Sequence, residues 1–139
     1  MRILVVGAGG IGGYFGGRLL EAGRDVTFLV RSRRAAQLAS AGLQIRSPCG
    51  DINLRAPPTV SAEALRTPFE LVLLSCKAYD LKAAMDSVAG AVGPETAVLP
   101  LLNGIAHLDA LAARFGAARI LGACVSSQAC SSRTAASCI

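Results

Sequence analysis

Residues 2–34 read RILVVGAGGIGGYFGGRLLEAGRDVTFLVRSRR, and this stretch decides the fold. Arg2 to Val6 is a short, β-rich apolar run with no polar alternation, the pattern of a strand buried on both faces. Gly7-Ala8-Gly9-Gly10-Ile11-Gly12 follows at once and fits G-x-G-x-x-G. Ile11 to Ala22 then predicts a helix stopped by Gly23, and Asp25 to Val30 a second buried strand. In such a strand–turn–helix–strand unit each glycine has a separate use. Gly7 permits the tight turn, Gly9 lets a pyrophosphate approach the backbone, and Gly12 lets the helix pack closely on the strand. The amides and positive end of the helix face the phosphates. A glycine-rich turn without a ligand is the bland alternative; the surrounding unit favours a dinucleotide site made of Gly7, Ala8, Gly9, Gly10, Ile11 and Gly12.

The end of the second strand is where NAD-binding proteins place an Asp or Glu on the ribose 2′-hydroxyl. This chain has Arg31, then Ser32, Arg33 and Arg34. A carboxylate would repel a 2′-phosphate, whereas a guanidinium offers charge and a planar donor fork. The charge logic therefore favours NADP(H) over NAD(H), with Arg31 on the 2′-phosphate and one of Arg33 and Arg34 a solvated residue.

Working outward, Ser32 to Ala41 predicts a helix capped by Ser32 and ended by Gly42. Leu43 to Arg46 and Asp51 to Arg55 are short strands around a turn at Pro48 and Gly50, and Ala56 to Pro58 is a break. Glu70 to Ser75 and Thr96 to Leu99 are strands, Asp80 to Ala91 and Ile105 to Phe115 helices, and Arg119 to Gly122 starts a further strand. The alternation predicts an α/β fold: a Rossmann-type, doubly wound, mostly parallel sheet. Lys77, Asn103 and Gly104 fall where strands end, at the edge where ligands bind. Lys77 is either solvated or facing a phosphate; Asn103 either bonds a ribose or carbonyl or caps a helix. Tyr79 and Asp80 are weaker candidates. His107 reads as a surface residue, and Cys76 as a buried thiol with no neighbouring His to activate it.

Composition narrows the function. Among 139 residues, 53% are hydrophobic, 17% charged and 4% aromatic, which excludes a disordered or highly charged chain. The net charge is +5, but the basic residues are scattered, and only Arg31, Arg33 and Arg34 cluster. That group is too small, and too free of aromatics, for a nucleic-acid face; it suits one phosphate. Five cysteines with no C-x-x-C pair and a single His supply no metal site. Free thiols point to a reducing cytoplasm. No segment has the roughly 18 uninterrupted apolar residues of a membrane span.

Three segments, MRILVVGAGGIGGYFGGRLLEAGRDVTFLVR (1–31), LVLLSCKAYD (71–80) and LPLLNGI (99–105), resemble the ketopantoate reductase (2-dehydropantoate 2-reductase) family in its own order. The resemblance runs from Met1 to about Val125. It implies reduction of 2-dehydropantoate, a small 2-oxo acid, to (R)-pantoate with NADPH, on the way to pantothenate and coenzyme A. It implies that Gly7 to Gly12 hold the pyrophosphate and Arg31 the 2′-phosphate. Lys77 matches the family's cofactor-contacting lysine, and Asn103 its asparagine near the nicotinamide ribose and substrate. Family members carry a second, helical domain with the catalytic lysine and the substrate-carboxylate residues, and form homodimers at full length. No residue here matches that lysine, so no catalytic residue is assigned.

The expected organisation is a dinucleotide-binding domain over 1–125 and an atypical tail over 126–139, with the helical substrate domain absent. The tail, SSQACSSRTAASCI, has no periodicity. Permissive codons read one base earlier give FIAGVLEQDGRIVH, which resembles the family's continuation and suggests a frameshift. Three readings stay open: an NADPH-dependent reductase represented by its cofactor half and inactive alone, a non-catalytic NADP-binding module, and the cofactor domain of a related 2-oxo acid dehydrogenase. A lone domain of this size folds, with an apolar patch where the second domain would sit.

Overall fold

A computed structural model describes residues 1–102 and 106–122. Asn103, Gly104, the first residue of the helix expected from Ile105, and the 126–139 tail lie outside the described residues. The chain runs β1 (Arg2–Val6), α1 (Gly10–Glu21), β2 (Asp25–Leu29), α2 (Ser32–Ala41), β3 (Leu43–Ile45), β4 (Ile52–Leu54) and β5 (Thr59–Val60). It continues through β6 (Leu71–Leu74), α3 (Leu81–Ser87), β7 (Ala97–Pro100) and α4 (Ala106–Phe115).

Five strands form one sheet in the order β5-β2-β1-β6-β7, every pair parallel. The chain starts in the middle, builds outward through β2 and β5, then returns to the other side of β1 for β6 and β7. This is the doubly wound Rossmann topology expected from the sequence. The direction reverses between β1 and β6, so a crevice opens beyond their carboxyl ends.

The apolar runs are explained by two cores, one on each face. Ile3, Val5, Phe28 and Leu73 pack on one side with Leu38 of α2 and with Leu43, Ile45 and Ile52 of the β3–β4 hairpin. Leu4, Val6, Leu29, Val72 and Leu74 pack on the other with Ala84 of α3, Val88, Val98 and Leu111 of α4. Helix α1 approaches the first face through glycine. A Cβ on Gly16 would stand 2.6 Å from the Phe28 ring. Glycine costs a helix about 1 kcal/mol relative to Ala; here it allows backbone to lie on the sheet.

Several local expectations change. The helix expected over 80–91 ends at Ser87, and Ala89–Ala91 forms a 3₁₀ turn. Gly90 weakens the helix there, and the three-residue period of the turn brings Val88 and Ala91 into the core together. The break at Ala56–Pro58 leads into β5, which the sequence reading lacks. Pro58 offers only its carbonyl, which accepts from Phe28 N–H at 2.8 Å, as suits an edge. Beyond α4, residues Ala117–Arg119 make a 3₁₀ turn, and Ile120 joins Val98 by a single parallel bridge rather than opening a strand from Arg119. The turn at Pro48 and Gly50 is present, and Arg18 holds it by donating from Nη2 to Ser47 Oγ and Gly50 O.

Candidate functional site

The glycine-rich turn sits at the carboxyl end of β1, beside the crevice. Gly7 has φ +89°, a conformation open to glycine and strained for other residues, and its N–H donates to Leu29 O at 2.9 Å. Gly9 is the N-cap of α1 and brings no side chain to it. The first bond of the helical ladder runs from Gly13 N–H to Gly9 O at 2.7 Å. The amides of Gly10, Ile11 and Gly12 therefore precede the ladder and are left for another acceptor.

The space around the glycines is uneven. At Gly9 and Gly10 a Cβ would meet no atom within 4 Å, so both face open room. At Gly12 a Cβ would collide with Ser75 Oγ and Gly7 O. The turn thus presents bare backbone outward and is closely packed inward. Those features fit a pyrophosphate: open approach, unpaired amides, and the positive end of a 12-residue helix.

Ser75, which the sequence reading passed over, completes the packing. It follows β6, and its Oγ donates to Val6 O at 2.7 Å, with Gly7 O 3.4 Å away. The hydroxyl ties the ends of β1 and β6 together beneath the turn. Its only sequence signal was its place at the end of a buried run.

The cap of α2 differs from the expectation, and the three arginines at its start have different surroundings. Arg31, not Ser32, is the N-cap of α2, with extended backbone (φ −71°, ψ 156°) and no side-chain cap bond. Ser32 is already in the helix and does not cap it. The Arg31 and Arg33 side chains are exposed and without hydrogen-bond partners among the described residues. Arg34 is the one that reaches the turn, its Nη2 donating to Ala8 O at 2.8 Å. Its only signal in the sequence was its place in the first turn of α2, directly after the strand that ends beside the glycine-rich turn. A cleft of about 390 Å³ opens here, lined by Gly9, Gly10, Tyr14, Arg34, Gln44 and Arg46 among others.

A slightly larger cleft of about 410 Å³ lies at Gly93, Pro94, Phe115 and Arg119. It is at the opposite, amino-terminal edge of the sheet, before β7. Its guanidiniums are engaged: Arg114 pairs with Asp86, and Arg119 donates to Pro94 O and Phe115 O. It therefore lacks the free donors of the turn.

Past β6, Lys77 is exposed, its Nζ 5.7 Å from the centre of the Tyr79 ring. Tyr79 is itself 77% exposed. Lys77 thus stands exposed at the edge of the crevice, where strand β6 ends. Cys76 is half-buried. Burial pushes its thiol above the usual value, and the Asp80 charge adds to this. Less thiolate forms at neutral pH, so Cys76 should alkylate slowly at pH 7 and keep accelerating beyond the ordinary thiol range. Peptide-resolved iodoacetamide labelling across pH checks this; a plateau already reached near pH 8 would contradict it. His107 is a correction: it is 7% exposed, not a surface residue. It lies one turn before Leu111 on α4, and both face inward. Asn103, which would follow β7 at the same edge, lies outside the described residues. Those residues contain no group of three or more His, Cys, Asp and Glu able to hold a metal ion, and no helix long and apolar enough to cross a membrane.

Residues 3–136 match the family described as ketopantoate reductase PanE/ApbA. The chain belongs to that family. Among its relatives in the curated proteins is the uncharacterized oxidoreductase YkpB of Bacillus subtilis, 44% identical over 122 residues, which cover 88% of this chain and 40% of that one. A crystal structure of 2-dehydropantoate 2-reductase from Geobacter metallireducens superposes with a TM-score of 0.77 at 36% identity, over 86% of this chain and 40% of that one. D-mandelate dehydrogenase, solved with NADH and anilino(oxo)acetate, superposes with a TM-score of 0.76 at 27% identity, over 86% and 39%. The chain thus spans about two fifths of the length of these relatives. It is an oxidoreductase-family chain whose described residues form the NAD(P)-binding fold.

Proposed function

We propose that this chain is the cofactor-binding part of an NADPH-dependent reductase acting on a small 2-oxo acid, with 2-dehydropantoate, reduced to (R)-pantoate, as the substrate the family favours. The observation that carries the reading is the turn itself: Gly9 and Gly10 open to solvent, Gly12 closed against Ser75, at the point where the sheet order reverses. Family membership and the likeness to the Geobacter enzyme support the substrate class.

The cofactor supplies a hydride when bound. The chain's own part is to bind and orient. The amides of Gly10 to Gly12 would receive the pyrophosphate, and Arg31 the 2′-phosphate. Lys77 and Asn103 would contact the cofactor further along the crevice, with Asn103 also at the substrate. Reduction of a ketone further needs a proton donor for the developing alkoxide. No residue here is assigned that role: His107 is packed into the core, and Lys77 is kept as a binding residue. We therefore expect residues 1–125 to act as a dinucleotide-binding domain, and the 139 residues alone to bind cofactor with little or no turnover. A cytoplasmic setting accords with the five cysteines, and a homodimer belongs to the longer family form.

The second reading is a dehydrogenase for another 2-oxo acid. It is favoured by the D-mandelate dehydrogenase likeness and by a 44%-identical relative whose reaction carries no name beyond oxidoreductase.

Calorimetry with NADPH and NADH, beside an Arg31→Ala variant, tests the cofactor assignment. The expected result is preference for NADPH, with Arg31→Ala weakening NADPH about tenfold and NADH little, the scale of one charge-assisted contact. Binding of neither cofactor would refute the site. NADH binding as tight as NADPH would move the reading to the second dehydrogenase class.

A further inference from the structure

We propose that Arg34 is a second specificity-determining residue for the cofactor, selecting the phosphate that distinguishes NADP(H) from NAD(H). The proposal rests on the reading of the glycine-rich turn as a dinucleotide site.

Arg34 is held in place. Its Nη2 donates to Ala8 O at 2.8 Å, between Gly7 and Gly9, so the guanidinium lies against the turn. A guanidinium carries five N–H donors in one plane. The carbonyl takes one, and Gln37 Oε1 lies at a long 3.4 Å from Nη1. The remaining donors are left for an anion.

The surroundings are positive. Arg31 is three residues earlier, the exposed N-cap of the same helix. Arg46 lines the same cleft and has no hydrogen-bond or ion-pair partner among the described residues. No acidic residue lines the cleft. A mere strut from α2 to the turn would need one donor, and a neutral amide would serve. A full cation in one cleft with Arg46 adds like-charge repulsion, which an anion between them converts into attraction. The phosphate ester of NADP(H) is such an anion, and a planar fork suits it.

The test uses the 139-residue chain, with NADPH, NADH, adenosine 2′,5′-bisphosphate and 5′-AMP as titrants. Arg34→Gln keeps a donor for Ala8 O and removes the charge. It should weaken NADPH about tenfold and leave NADH within about twofold, with the bisphosphate and 5′-AMP separating in the same way. Arg34→Lys, which keeps charge and loses the fork, should fall between. Should the Gln variant melt well below the wild type, the Lys variant's NADPH-to-NADH ratio decides. Equal weakening of both cofactors would reduce Arg34 to a strut and overturn the proposal. A wild type that prefers NADPH, with the ratio unchanged in the variants, would overturn the proposal and leave the cofactor reading standing. A wild type that binds neither cofactor would overturn both.

Discussion

Gly12→Ala is expected to melt about 8 °C below the wild type, on the scale of about 4 °C per kcal/mol for a domain of this size. The added Cβ would collide with Ser75 Oγ and Gly7 O. Overpacking costs about 1–3 kcal/mol when side chains can yield. Here one obstacle is a backbone carbonyl in a turn that Gly7 fixes at φ +89°, so the upper end applies. The gain of about 1 kcal/mol in helix propensity does not offset it. Ser75→Ala combined with Gly12→Ala should recover part of the loss, because it removes the hydroxyl and leaves the carbonyl. Gly10→Ala is the control: its Cβ would meet nothing within 4 Å, and the melting temperature should hold or rise slightly. Thermal melts of the four proteins check this. A Gly12→Ala protein that melts with the wild type would mean that the helix does not rest on the ends of β1 and β6 as described.

Gly9→Val should do the reverse, sparing the fold and abolishing cofactor binding. Gly9 lies at φ −86°, which other residues adopt freely, and a Cβ there faces open space. That space is where a pyrophosphate must come to reach the amides behind it. Losing two backbone contacts to an anion weakens binding by about a hundredfold or more. The expected pair of results is a melting temperature near the wild type and no measurable heat with NADPH. Undiminished binding by the folded variant would place the phosphates elsewhere. Gly9 and Gly12, three residues apart in one motif, thus separate the two uses of glycine: one keeps space free for a ligand, the other lets the protein close on itself.

What was legible in the sequence follows the range of the interactions involved. The unit β1–turn–α1–β2 was plain because each signal acts over a few residues: an apolar run, glycines at fixed offsets, a stop at Gly23. The helix over 32–41 and the β3–β4 hairpin were plain for the same reason. Features set by distant partners were not. Ser75 matters because Val6 O lies 69 residues earlier in the chain, and Arg34 because Ala8 O lies 26 earlier. β5 is two residues after a Pro pair, too short to carry a period, and exists because β2 offers an edge. His107 looked polar and therefore external, but the helical period that buries Leu111 carries it inward too. Among Arg31, Arg33 and Arg34, charge alone could not say which one touches the turn; the pitch of α2 does.

The strand order has a consequence for how the protein is made. β1 leaves the ribosome before the other strands of its sheet, yet one of its two neighbours, β6, begins at Leu71. Until then the nascent chain holds β1 paired on one side only, with Leu4 and Val6 facing a core whose partners are not yet synthesised. Pairing across such a separation makes sheet formation slow, and an apolar strand edge waiting for its partner is prone to association with other chains. The strand that anchors the phosphate-binding turn is therefore also the segment most in need of protection during synthesis.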